Sequence, residues 1–283
     1  MSFIENQLVT FKDMFEGAIR ASKSGGLKAK TSIIRSSKLI NLIHEAVKHE
    51  LILQGVKPTH LHPPQYKTSP ELKIAGFLKQ KKQDVCATPN CDRVPKVTRT
   101  IDWGPLKYKK LKDSLGDDYT ERTLVINVRS QLSSVAKNRD TLFERTFAEA
   151  LNLHMKYPKM VLGEVYLIPL YEYDEKAMEN NEAGKRIKFK EKPVQIEEYL
   201  SFFHGINNRT NDADSLYKYE RCALLIVDFR PENPVLYTTE KLVEEGFLNE
   251  KFAQELSALS FDNFARDILA AYKNRFDLEN LTT

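Results

Sequence analysis

Asp84, in the stretch KQKKQDVCATP, is the first side chain whose type and setting suggest chemistry. On a strand, side chains alternate between faces, so Lys82, Asp84 and Cys86 point the same way. Asn127, Arg129 and Gln131 share one face of a later strand, and Glu144 and Glu149 lie on the helix that follows it. A carboxylate from one strand and another from a neighbouring strand or helix could hold a divalent cation that activates water and stabilises a phosphorane-like transition state. A nearby cation stabilises the developing charge. Arg129, Gln131 and Lys82 are polar or cationic candidates near these acids.

A second group of residues suits a polyanion. Residues 20–38 carry Arg20, Lys23, Lys28, Lys30, Arg35 and Lys38, five serines and no acid. Basic side chains pair with phosphates, and small hydroxyls permit close backbone approach. Ser133, Ser134, Lys137 and Asn138 follow the strand that ends near Arg129, and ligands of open α/β sheets bind beyond strand C-termini. Asn207, Asn208 and Arg209 fall in a polar loop over residues 206–215. Asparagine can pair with adenine and arginine with guanine, so these three are candidates for reading base edges. Cys86 and Cys91 with His60 and His62 form a loose tetrahedral zinc pattern. Cys222 opens an apolar run and reads as core. His154 and His204 sit at helix ends, in capping or surface positions.

The elements that must position these residues centre on residues 121–174. Two β-rich runs, 124–128 and 161–171, flank a helix at 141–155, in which Leu142, Phe143, Phe147, Ala150, Leu151 and Leu153 recur at helical spacing. Pro158 follows as a stop. Strand, helix and strand with short links predict a βαβ unit with parallel, buried strands. Upstream, amphipathic helices are predicted at 3–21 and 38–53, with Gly25 and Gly26 breaking the chain between them. Residues 71–77 and 85–87 read as strands and 107–112 as a solvated basic face. Downstream, 175–192 reads as a charged surface excursion, 194–206 as a helix and 222–229 as a central strand. Residues 239–247 and 250–276 read as helices, the last restarted by a Ser260 cap.

The composition of the 283 residues, 41% hydrophobic and 29% charged, supports a sizeable core. A net charge of +4 is mild. Three cysteines make no disulfide framework, so a reducing cytoplasm is expected. No run approaches the length of a membrane span, and the first residues lack a secretory pattern. The expected fold class is α/β, a mixed central sheet flanked by helices. An N-terminal helical, basic region spans 1–68, and the α/β core with its C-terminal helices spans 69–283.

The spacing of Asp84, Asn127-Val128-Arg129 and the following helix resembles the PD-(D/E)XK nuclease core of type II restriction endonucleases. That family places an acid on one strand and an acid-x-lysine tripeptide on the next. The run VRSQ…KN…FER is similar to a K-S-Q…NN…EE stretch in some of these enzymes, with Arg129 at the lysine and Glu144 at a helix acid. Asn127 stands where the family has an acid. The similarity covers residues 71–172. It implies a restriction-endonuclease-like core, Mg²⁺ held by Asp84 and Glu144, and cleavage of double-stranded DNA by a homodimer. Two rival readings are a DNA-binding protein or subunit of the same fold without catalysis, and an unrelated metabolic or scaffolding α/β protein.

Overall fold

The apolar runs of the chain segregate onto two faces of one sheet. A computed structural model describes residues 1–89, 97–252 and 257–283. Its helices are α1 (Phe3–Ala21), α2 (Gly26–Arg35), α3 (Lys38–Leu53), α4 (Asp117–Glu121), α5 (Val135–His154), α6 (Glu175–Met178), α7 (Ile196–Ile206), α8 (Thr239–Glu244), α9 (Phe261–Lys273) and α10 (Glu279–Thr282). Its strands are β1 (Leu61–His62), β2 (Lys73–Ala75), β3 (Gln80–Lys82), β4 (Val85–Ala87), β5 (Arg99–Thr100), β6 (Lys112–Asp113), β7 (Leu124–Ser130), β8 (Leu162–Pro169), β9 (Arg221–Asp228) and β10 (Val235–Leu236). The central sheet runs β1-β4-β7-β8-β9-β10, and β2-β3 and β5-β6 form two small hairpin sheets.

β7, β8 and β9 are parallel, and β4 and β10 join them antiparallel, which makes the sheet mixed. The expected βαβ unit is β7-α5-β8. Alternation then sorts the side chains. Leu124, Ile126 and Val128 of β7 and Val165 and Leu167 of β8 pack with α1, α3 and α9. Val125, Leu162, Tyr166, Cys222 and Leu224 pack with α5 and α7 on the other face. Burial of each large apolar side chain contributes about 1.5–3 kcal/mol, which is why the two faces fix the strand register. Gly163 lets α9 approach: a Cβ there would come within 2.7 Å of Ile268 and 2.8 Å of Phe264.

The N-terminal helices share this core. Leu8, Phe11, Phe15, Ile43 and Val47 belong to the same apolar cluster as the sheet, and Leu61–His62 is its edge strand. Ser2 caps α1 with a reciprocal Glu5 contact. Ser260 caps α9, its Oγ accepting from Asp262 N at 3.3 Å, as the sequence suggests.

Several local expectations differ. Residues 26–35, read from the sequence only as part of the basic stretch, form a helix. Gly26 packs against Met178 O at its start and Lys30 pairs with Glu175, although Gly25-Gly26 and Ser32 disfavour helix locally. The excursion at 175–192 carries Arg186, which is buried and donates to Ile19 O and Ser22 O at 3.1 and 2.6 Å, pinning the segment to the end of α1. Residues 107–109 are exposed as expected, though in a 3-10 turn rather than a helix. The predicted helical stretch 250–276 includes residues outside the described ones, and so does Cys91. Among the described residues no helix is long and apolar enough to cross a membrane.

Candidate functional site

The site forms where β7 meets its neighbours on the α5 face. In the parallel register Asn127 lies beside Glu164, and Glu164 beside Cys222. On the other side Val85 pairs with Ile126, so the next residue, Asp84, falls opposite Asn127. Asp84 sits in the bend between β3 and β4, and its Oδ2 accepts from Val128 N at 3.0 Å. The result is a row, Asp84–Asn127–Glu164–Cys222, across four adjacent strands.

Arg129 stands two residues further along β7. Its Nε lies 3.2 Å from Glu164 Oε1, and its Nη1 donates to Thr146 Oγ1 at 3.0 Å. Burial opposes the Arg129 cation, but Glu164, Tyr219, Glu149 and Asp84 outweigh it and raise its pKa. Glu164 is wholly buried, and neither of its oxygens receives a hydrogen bond. Burial, reinforced by Asp84 and opposed by Arg129, pushes its carboxyl up to about 7. The Asn127 amide is equally buried and unpartnered. Cys86 and Cys222 are thiols held protonated by burial.

Beyond the row opens a cleft of about 810 Å³. Its walls carry the cations Lys79, Lys81, Arg129 and Arg145, and the polar groups of Ser130, Gln131, Ser133, Ser134 and Asn138. The β2-β3 hairpin delivers both lysines. Asn152 of α5, itself buried, holds that hairpin by accepting from Leu78 N and Lys79 N at 2.8 and 2.9 Å through Oδ1. Gly76 permits the approach, since a Cβ there would sit 2.4 Å from Asn152 O. Glu149 of α5 lies between the lysines, 3.2 Å from Lys79 Nζ and 3.3 Å from Lys81 Nζ. Ser134 starts α5 in the left-handed region at φ 53, a conformation that costs a non-glycine residue about 1–2 kcal/mol and often marks functional sites. Its hydroxyl donates to Glu175 Oε1 at 3.2 Å, and Lys30 pairs with the same carboxylate. Lys30 and the serine hydroxyls hold Glu175 below the usual carboxylate range.

The sequence candidates divide accordingly. Asp84, Arg129, Gln131, Ser133, Ser134 and Asn138 come together around the row and the cleft. Lys137 is exposed beside Asn138. Glu144 is corrected: it is exposed and does not line the cleft. Five residues separate it from Glu149, about 140° around α5 at 3.6 residues per turn, so Glu149 takes the inward position. Lys82 is also corrected, because it is exposed and pairs with Glu71 at 2.8 Å. β3 belongs to another sheet and the chain bends before Asp84, so face alternation does not carry from Lys82 to Asp84. Lys81 faces the site instead.

The loop reading at 207–209 is corrected too. Arg209 is buried, with Nη1 3.0 Å from Glu220 Oε1, and Asn207 Oδ1 accepts from Cys222 N at 2.8 Å. Only Asn208 of the three is exposed. His154 is buried, not at the surface, with its ring nitrogens 2.9 Å from Leu216 O and 3.1 Å from Met160 O. In the basic segment, Lys23, Lys28, Arg35 and Lys38 are exposed, while Arg20 pairs with Glu16 at 2.7 Å. The residues missed by the sequence reading are Glu164, Lys79 and Lys81. Glu164 had a signal, as the one charged residue in the apolar run 161–171.

Among the described residues no group of three or more His, Cys, Asp or Glu side chains is arranged to hold a metal ion. Asp84 and Glu164 with the side-chain oxygen of Asn127 make a smaller, all-oxygen set. Mg²⁺ commonly takes one or two carboxylates and completes its shell with water and substrate phosphate. The oxygens of Glu164 and Asn127 accept no hydrogen bond and fit that use, with Glu164 also ion-paired to Arg129.

No family model, curated protein or solved structure matches the chain.

Proposed function

We propose that the chain is a sequence-specific endonuclease that hydrolyses phosphodiester bonds of duplex DNA with Mg²⁺, as type II restriction endonucleases do, and acts as a homodimer. The observation that carries this reading is the row Asp84–Asn127–Glu164, joined through the Arg129–Glu164 ion pair to a cleft lined by cations and hydroxyls. Asp84, Glu164 and the side-chain oxygen of Asn127 would hold the ion. When bound, Mg²⁺ supplies charge to polarise the phosphoryl group and acidify water. Arg129, already charged and fixed by Glu164 and Thr146, stabilises the negative charge that grows on the phosphate. Lys79 and Lys81 attract the backbone, and Ser130, Gln131 and Asn138 offer hydrogen bonds that position it. A homodimer would present two such clefts to the two strands of a duplex.

The second reading, binding of DNA without cleavage, draws on the amide at 127 and on the Arg129–Glu164 ion pair, which engages one of the acids. Plasmid and phage DNA incubated with the protein in Mg²⁺, and in Ca²⁺ as control, separates the two. Cutting in Mg²⁺ is expected. Asp84→Ala and Glu164→Gln should lower it by about a hundredfold or more while DNA binding in Ca²⁺ persists. Glu144→Ala should cut like the unmodified chain. Binding to a defined sequence with no cutting in Mg²⁺ or Mn²⁺ would favour the second reading.

A further inference from the structure

Among the longer helices, α2 is unusual in what it buries. α1 buries seven residues and α3 six, whereas the ten-residue α2 buries Gly26 alone. Isolated helices of this length are marginal in water, so the fold must hold α2 from outside. It does so at one end, along one edge, and through Leu27 and Ile33, which pack half-buried against the core. Gly26 seats against α6, where a Cβ would come within 2.5 Å of Met178 O. Lys30 pairs with Glu175, and Lys30 and Ile34, four residues apart, line the cleft.

The opposite face is turned to solvent. Lys28, Thr31, Ser32 and Arg35 fall at i, i+3, i+4 and i+7 on one helical stripe, and all four are exposed. Lys28, Ser32 and Arg35 have no side-chain partner among the described residues, and the Thr31 hydroxyl donates only to Leu27 O of its own helix.

We propose that α2 reads DNA sequence: its outward stripe enters the major groove and contacts base edges while its Lys30–Ile34 edge walls the cleavage cleft. This rests on the DNA reading above and names the residues that give it specificity. The major groove admits one α-helix, arginine pairs bidentately with guanine, and serine and threonine hydroxyls contact several base edges. Charge complementarity selects DNA as the occupant, since no acid occurs from Arg20 to Lys38. Exposed Lys23 and Lys38 flank α2 and can meet phosphates on either side of the groove. Arg209 is buried and cannot take this role.

The test is selection of bound duplexes from a randomised pool by the full chain in Ca²⁺, with a parallel Mg²⁺ cutting assay. The unmodified protein should enrich one sequence. Arg35→Lys keeps the charge but loses the planar fork, so it should lower the preference for guanine at one position by about tenfold with little change on random DNA. Ser32→Ala and Thr31→Ala should relax neighbouring positions. If the unmodified protein enriches a sequence and all three variants enrich it equally, α2 is not the reader, although the DNA reading stands. Should the unmodified protein enrich nothing, base reading by α2 fails. Mg²⁺-dependent cutting of random DNA would then preserve the nuclease reading, and its absence would remove that as well.

Discussion

Asn127 and Glu164 lie side by side in the register of β7 and β8, both fully buried, and neither side chain makes a hydrogen bond. Buried polar groups without partners are rare, because each forfeits its hydration without replacement. The pair therefore opposes folding unless a proton or a cation compensates it. Arg129 supplies part of that compensation on one side of Glu164.

This sets a pH dependence. Burial pushes the Glu164 carboxyl from its ordinary value of 4.5 up to about 7. The folded state thus binds the proton more tightly than the unfolded chain. Below pH 4.5 both states hold it and there is no penalty. Between roughly 4.5 and 7 the unfolded chain ionises first, and stability falls as pH rises. The shift corresponds to a loss of about 3 kcal/mol by pH 8, as an order of magnitude. Urea unfolding at pH 5 and pH 8 should show this loss in the unmodified protein and a flatter profile in Glu164→Gln. Adding Mg²⁺ at pH 8 should restore stability to the unmodified protein and do little for the variant. Equal pH profiles for the two proteins would show that Glu164 stays ionised without penalty.

Arg209→Ala should act on stability and leave DNA preference alone. Arg209 and Arg275 converge on Glu220, at 3.0 and 2.6 Å, with His154 at 3.7 Å. Burial alone would raise the Glu220 carboxyl, but His154 and Arg275 bring it below its ordinary value. Removing one partner of a buried ion pair costs about 3–5 kcal/mol, and here Arg275 remains to limit the loss to about 3. A urea midpoint shift of that size is expected, with the sequence preference of the folded fraction unchanged. A changed preference at an unchanged midpoint would return this residue to the proposed DNA interface.

The sheet and its βαβ unit were legible because the periodicities were long and clean. Leu39, Ile43, Ala46 and Val47 marked α3, and the apolar run around Leu224 marked β9. The start of α5 at Val135 was not legible, since Lys137, Asn138 and Asp140 make its first turns polar and exposed. α2 is not legible because its sequence favours a turn, while its helix is held by contacts far along the chain: Leu27 and Ile33 against the core, Gly26 against Met178 and Lys30 with Glu175. Residue type alone points to Asp84 and Arg129, which lie beside Asn127 and Glu164. The resemblance points to Glu144, whereas helical phase turns Glu149 inward. Glu149 is seven residues after Leu142, on the buried side of α5. Lys79 and Lys81 needed the third dimension, because a separate hairpin folded against α5 brings them to the cleft.

Asn152 tests that last arrangement. It carries no charge, yet its Oδ1 accepts from Leu78 N and Lys79 N, and its Nδ2 donates to Lys79 O at 3.3 Å. Three hydrogen bonds to one turn fix where Lys79 and Lys81 stand relative to Glu149. Asn152→Ala would leave two backbone donors unmet and free the hairpin to shift. The expected destabilisation is about 2 kcal/mol, within the range for an unsatisfied buried group. The more telling measurement is the salt dependence of binding to duplex DNA. Removing one lysine–phosphate pair should reduce the slope of log K against log salt by about one unit. Asn152→Ala should therefore flatten the slope nearly as much as Lys79→Ala and Lys81→Ala together, even though it removes no charge. A variant that loses stability but keeps the full slope would show that the hairpin finds its place without Asn152.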